Sequence, residues 1–283
     1  MNAKTWGWFV NTSRQISSGL ATLSAQSMGS GDPVVFLHAG VADKRMWHDQ
    51  LEGVSAISRA IAYDRRGVGR THAEPEDYSA VADLMAVIDA LGNGAPVILV
   101  GCSQGGRIAL DAALMHPAKF GGLILISPTI TGSPEAVYPS EASELMAQQA
   151  DAQKAGDLDL VNSIKAHLWL DGPLERAGRV TGPARQLFLE MNGIALRSPV
   201  VGADIDTAPV FDRLAEISVP TLVICGDLDF PHIQSRCRHL ANTVPSGVHL
   251  SLTGSAHLPS LDQPAVLTEA IVEFVSANSL RRE

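Results

Sequence analysis

The stretch Gly101-Cys102-Ser103-Gln104-Gly105 constrains this chain more than any other, because of what flanks it. Before it runs Val97-Ile98-Leu99-Val100, wholly apolar, as a buried parallel strand is. After it runs Arg107 to Leu114, with helical spacing that stops before Pro117. A strand that turns sharply into a helix around G-x-S-x-G holds the serine at the tip of the turn in a strained backbone conformation. Strand and helix pass close together there, so the positions two before and two after the serine must be small. Gly101 and Gly105 supply that room. The helix N-terminus beyond the turn presents unpaired N–H groups to negative charge developing near Ser103.

The rest of the chain repeats the same rhythm. Ala21 to Ser27 alternates weakly, as an early strand. Gly29 to Pro33 is a turn cluster, and Val34-Val35-Phe36-Leu37 a short apolar strand ending in His38-Ala39-Gly40. Asp43 to Gly53 is a helix or a structured loop, and Ile57 to Tyr63 the next strand. Tyr78 to Leu91 carries apolar residues at helical spacing up to Gly92, and Leu123 to Ile126 is another buried strand. Pro220 to Gly226 and Val248 to Leu252 read as the last strands. Helices are expected from about Ile233 to Ala241 and from Ala265 to Ser276. Strands alternating with helices at this spacing imply βαβ units, a mostly parallel sheet and, through right-handed crossovers, helices on both faces.

The rhythm breaks between Thr131 and Asp206. Three helical stretches (Glu141 to Ala155, Leu158 to Leu170, Ala184 to Leu196) are separated by Gly172-Pro173 and Gly182-Pro183, with no strand-like run between them. This divides the chain into an N-terminal arm over 1–20, an α/β core over 21–130 and 207–283, and a helical insertion over 131–206. The arm holds Trp6, Trp8 and Phe9, which suit either packing on the domain or contact with a partner subunit.

Composition excludes some roles. With 21 Lys and Arg against 30 Asp and Glu, the net charge of −9 argues against a nucleic-acid or anionic-membrane surface. No apolar run approaches the length of a membrane helix. Cys102, Cys225 and Cys237 are too few and too scattered for a disulfide framework or a zinc pattern, which suits a reducing, cytoplasmic setting. Of 283 residues 46% are hydrophobic, enough for a substantial core.

A serine hydroxyl attacks a carbonyl only when a base takes its proton, and a carboxylate must hold that base in the right tautomer. In a strand–turn–helix setting the acid and then the histidine follow the serine, each just after a strand. Asp229, after the strand ending at Gly226, and His257, in Gly254-Ser255-Ala256-His257-Leu258, fit. Asp227 competes for the acid, with turn chemistry as its other use; Asp229 is preferred. His38 suits a structural hydrogen bond at a strand end, His116 a helix cap and His249 a strand. His48, His72, His167, His232 and His239 lack a strand-end setting. The oxyanion of a tetrahedral intermediate needs two backbone donors. These are the N–H of Gln104, next to the nucleophile, and that of Gly40 in the loop after His38. Cys102, pointing opposite to Ser103, is expected to face the core.

These motifs together resemble the α/β-hydrolase superfamily over about Val34 to Val275. They are Val35 to Gly40, Asp64-Arg65-Arg66-Gly67-Val68-Gly69, the Ser103 elbow, Gly226 to Asp229, and Ala256 to Pro259. Two positions depart from the family pattern: Ala39 and Ala256 stand where glycine is usual. The resemblance implies an α/β-hydrolase fold, a mostly parallel twisted sheet with helices on both faces. The helical insertion corresponds to the family's cap, inserted after the sixth strand as the roof of a substrate pocket. Serine at the elbow disfavours the haloalkane dehalogenases and epoxide hydrolases, which need a carboxylate there. The carbon–carbon bond hydrolases of ring-fission diketones commonly carry a tryptophan after the histidine, where this chain has Leu258. The chain looks most similar to carboxylesterases and enol-lactonase-like members.

The expectation is a Ser-His-Asp hydrolase (Ser103, His257, Asp229) of a small carboxylic ester or lactone, working as a monomer or homodimer without metal or cofactor. Nucleic acid and membrane are not expected partners. Carbon–carbon bond hydrolysis and ligand reception on a hydrolase fold are the alternatives. Trp47, Met146, Trp169 and Phe230 are candidates for the pocket wall, against core packing as the commoner fate of such residues.

Overall fold

The computed structural model describes residues 12–279. Thr12–Ser18 (β1) and Ala21–Met28 (β2) form an antiparallel hairpin, followed by Pro33–Leu37 (β3). A 3₁₀ turn, Lys44–Trp47, leads into His48–Ser55 (α1), then Arg59–Tyr63 (β4) and the two-residue His72–Ala73 (β5). Ala80–Leu91 (α2), Val97–Cys102 (β6), Gln104–Met115 (α3) and Phe120–Ile126 (β7) complete the first half. The insertion holds Ser140–Ala155 (α4), Leu158–Ala166 (α5), a π-helical turn His167–Asp171, and Gly182–Arg197 (α6). Thr221–Gly226 (β8), Pro231–Thr243 (α7), Gly247–Leu252 (β9), Pro259–Asp262 (α8) and Pro264–Ser279 (α9) close the chain.

The sheet runs β1-β2-β4-β3-β6-β7-β8-β9, with β5 paired to β2. The pairs β3/β4, β3/β6, β6/β7, β7/β8 and β8/β9 are parallel, and the pairs that involve β2 are antiparallel. Successive strand residues point to opposite faces, and the core divides accordingly. Val35, Leu37, Leu99, Leu123, Leu125 and Val223 pack with Leu84 of α2, Ile108 of α3 and Leu240 of α7. Val34, Phe36, Ile98, Val100, Ile124 and Ile224 pack with Leu51 of α1 and Leu267 and Ile271 of α9. A sheet buried on both faces in this way reads as continuous apolar runs.

At three places the structure adds detail to the sequence reading. Part of the stretch assigned to an N-terminal arm over 1–20, Thr12–Ser18, is strand β1 of the sheet, while Trp6, Trp8 and Phe9 lie outside the described residues. The helical insertion follows β7, the seventh strand in chain order once the edge strand β1 and the two-residue β5 are counted, where the family resemblance implied the sixth. The stretch Leu158 to Leu170 is helical as expected, and within it α5 passes into the π turn at His167.

The insertion is tied to the core by charge as well as packing. Within the insertion, wholly buried Asp171 accepts from Arg185 Nη1 at 2.8 Å and from the N–H groups of Gly178 and Val180, which flank Arg179. Arg179 donates to the Asp262 carboxylate at 2.7 Å and to the carbonyls of Leu170, Asp171 and Gly254.

Candidate active site

The turn between β6 and α3 holds Ser103 at φ 52° and ψ −114°. Among the described residues only Ser103 and Ser127 (φ 44°) are non-glycines with positive φ. They end adjacent strands, where such conformations are costly unless the surroundings impose them. Here they do. Ser103 N–H donates to the Ile126 carbonyl at 2.9 Å, and Thr129 N–H donates to the Ser103 carbonyl at 3.0 Å. A Cβ on Gly101 would lie 2.5 Å from the Gly105 carbonyl oxygen, and one on Gly105 would lie 2.1 Å from that of Leu37. Nothing in the sequence had marked Ser127.

Asp229 and His257 leave the ends of β8 and β9, which are parallel neighbours in register from Thr221↔Gly247 to Gly226↔Leu252. Both are 2% exposed, and His257 Nδ1 donates to Asp229 Oδ2 at 2.8 Å. The second carboxylate oxygen accepts from the Phe230 N–H at 2.8 Å. With Nδ1 committed to the carboxylate, Nε2 is the ring atom left to exchange a proton. Asp227 turns elsewhere and accepts from the Gly254 N–H at 2.7 Å, bracing the loop that leads to His257.

Ser103 and His257 face one cavity of about 610 Å³, together with Gly40 and Gln104. Among the described residues, the N–H groups of Gly40 and Gln104 have no acceptor. The direction of the Gly40 N–H is set from behind. The Ala39 carbonyl accepts from His38 Nδ1 at 2.8 Å, Arg65 Nη2 at 3.2 Å and Ala42 N–H at 3.2 Å. Its peptide is planar and trans, so the Gly40 N–H points the opposite way. His38 Nε2 accepts from the Arg65 N–H at 3.0 Å, which assigns the ring proton to Nδ1. Burial, with the Arg65 guanidinium beside it, holds the His38 pKa well below its ordinary value, so the ring stays neutral.

Three of the four expected pocket residues, Met146, Trp169 and Phe230, line this cavity. The Trp169 ring lies 4.6 Å from that of His257 and 4.9 Å from that of Phe230. Trp47 does not line it. It is wholly buried against Phe36, with ring centroids 5.5 Å apart, because its 3₁₀ turn packs on the face of the sheet that carries α1. The cavity also holds Tyr138, Lys165 and Leu168, which sequence reasoning missed. A signal for two of them was present: Lys165, Leu168 and Trp169 are spaced i, i+3, i+4, so a helix that aims Trp169 at the pocket aims the others there too.

Cys102 is wholly buried among apolar residues, its Sγ 3.7 Å from the His257 carbonyl. Burial first, then the Asp229 carboxylate, pushes its thiol pKa up, which leaves it a poor nucleophile. Cys225 and Cys237 are likewise buried and unbridged. Among the described residues no three His, Cys, Asp or Glu side chains form a group that could hold a metal ion.

Comparison with known proteins adds four findings. The sequence pattern of the alpha/beta hydrolase family matches residues 34–270. A pimeloyl-[acyl-carrier protein] methyl ester esterase from Yersinia enterocolitica is 28% identical over 264 residues, covering 89% of this chain and 96% of its own. A haloalkane dehalogenase from Sphingobium indicum is 26% identical over 279 residues, covering 87% and 89%. Among solved structures, a thermophilic esterase from Thermogutta terrifontis superposes with a TM-score of 0.74 at 24% identity, over 95% of this chain and 98% of its own.

Proposed function

The chain belongs to the alpha/beta hydrolase family, and from that premise we propose that it is a serine hydrolase of small carboxylic esters or lactones. The observation that carries the reading is the 2.8 Å hydrogen bond between buried Asp229 and His257, made beside a cavity that also exposes the strained Ser103. The esterase relative supports it. The dehalogenase relative does not redirect it, because this elbow carries a hydroxyl where alkylation of a carboxylate would need an aspartate.

His257 Nε2 takes the Ser103 hydroxyl proton as Oγ attacks the substrate carbonyl. Asp229 stabilises the resulting imidazolium and keeps Nδ1 protonated. The tetrahedral oxyanion lies between the N–H groups of Gln104 and Gly40; losing one such donor typically costs about 100- to 1000-fold in rate. His257 then hands its proton to the departing alkoxide, which leaves an acyl ester on Ser103. Water attacks that ester, giving a proton to His257, and collapse of the second intermediate returns the proton to Ser103 Oγ and frees the acid. Trp169 against the His257 ring limits its motion and excludes water from one side.

The test is hydrolysis of p-nitrophenyl esters and simple lactones by wild type and Ser103→Ala, with fluorophosphonate labelling alongside. Turnover that falls by about 10⁴-fold or more in the variant is expected. Undiminished turnover in Ser103→Ala, or absence of label on folded wild type, would overturn the serine mechanism.

A further inference from the structure

The chain carries a net charge of −9, yet no Asp or Glu lines the Ser103 cavity, while two cations do, Arg107 and Lys165. Arg107 is already satisfied by the protein. It donates to Asp111 Oδ2 at 2.6 Å, to the Asp206 carbonyl at 2.8 Å and to the Asp204 carboxylate. Lys165 differs: among the described residues it has no hydrogen-bond or ion-pair partner. It is half-buried, and burial lowers its pKa with no carboxylate near enough to oppose the shift. Three acidic residues of α4 and α5 already have partners. Asp151 pairs with Lys154, Asp159 with Arg197, and Glu141 with Ser140.

Its position gives this ammonium a use. Lys165 lies one helical turn before Trp169, whose ring rests on His257, and Leu168 completes the same cavity-facing stripe. The amide of Gln149, on α4, lines the cavity as well. A half-buried cation without a partner attracts an anion more strongly than one in water. Met146, Trp169 and Phe230 give the same cavity an apolar lining.

We propose that Lys165 forms an anion subsite of the Ser103 cavity, so that the substrate is an ester or lactone bearing a carboxylate beyond its reacting carbonyl. This rests on Ser103 being the nucleophile. Lys165 here determines specificity: it holds the far end of the substrate and takes no part in bond making, so a neutral ester should be handled about equally with or without it.

The experiment separates the two ideas by following inactivation of Ser103 by a neutral alkyl fluorophosphonate, with and without glutarate, in wild type, Lys165→Met and Lys165→Arg. Thermal melts of each variant verify folding. Lys165→Met keeps the aliphatic stem, and Lys165→Arg keeps the charge. The expected result is that all three are labelled at similar rates without glutarate. Glutarate slows labelling of wild type and Lys165→Arg, and at least tenfold more is needed for Lys165→Met. The neutral glutaramide gives no protection. Glutarate that fails to protect wild type, or protects Lys165→Met equally, overturns the subsite while leaving the serine mechanism standing. Absence of label on folded wild type overturns the serine mechanism, and the subsite with it.

Discussion

Asp227 and Asp229 stand two residues apart in one turn and serve different partners. Asp229 receives His257 Nδ1 at 2.8 Å, whereas Asp227 receives the backbone N–H of Gly254 at 2.7 Å. Asp229 is buried and Asp227 exposed. On the proposed mechanism the two carboxylates separate chemistry from loop geometry. Asp229→Asn should lower kcat by about 10⁴-fold, through the wrong histidine tautomer. Asp227→Asn should stay within about tenfold of wild type, the scale of one ordinary hydrogen bond. Steady-state hydrolysis of an aryl ester by both variants checks this, and equal losses would assign the acid wrongly.

The elbow leaves no space at Gly105. A Cβ there would fall 2.1 Å from the Leu37 carbonyl oxygen and 2.8 Å from that of His38, both backbone atoms at the end of β3. Gly105→Ala must therefore push α3 away from the loop that carries Gly40. A loss of about 3 kcal/mol in unfolding free energy is expected from such overpacking, read from urea denaturation, together with a fall in activity of the protein that remains folded.

Buried His38 gives the fold a pH dependence with a definite sign. Its folded pKa lies well below the ordinary histidine value because burial and Arg65 oppose the charged ring. The unfolded chain thus binds a proton that the native state refuses, and stability falls as pH drops below about 6.5 toward the folded value. His232 and His249, also shifted downward, act in the same direction. Melting temperatures across pH 7.5 to 5 should decline, and His38→Asn should flatten that decline. A slope unchanged in the variant would place the proton uptake elsewhere.

Arg179 joins the cap to the loop before His257 through the Asp262 carboxylate and the Gly254 carbonyl. Asp262 also accepts from the Ala256 N–H at 3.1 Å. Arg179→Met leaves the partly buried Asp262, whose side chain is 7% exposed, without its cation, which should cost about 3 kcal/mol. Hydrogen exchange should speed up in the cap and at Ala256 together. Loss of protection confined to the cap would mean that the bridge does not couple the two.

The sequence by itself determined the α/β alternation, the elbow at Ser103 and the positions of Asp229 and His257. These rest on local rules: apolar runs of strand length, glycines where backbones touch, and functional residues placed just after strands. It also separated Cys102 from Ser103, since neighbouring strand residues face opposite sides. Local rules failed on β1, because Thr12–Ser18 holds a single apolar residue, Ile16, and an edge strand with a largely exposed burial pattern shows no hydrophobic run. They misplaced Trp47, because an aromatic residue looks the same in sequence whether its turn packs on the sheet or opens on a cavity. Lys165 was passed over for the converse reason: a lysine on a cap helix reads as solvent-facing until the cap is seated on the core. Only the tertiary structure decides which helical stripe faces Ser103, because that depends on the π turn at His167–Asp171 and on the Arg179–Asp262 ion pair that seats the insertion on the core. That pair joins residues distant in the chain, and neither periodicity nor motif spacing encodes it.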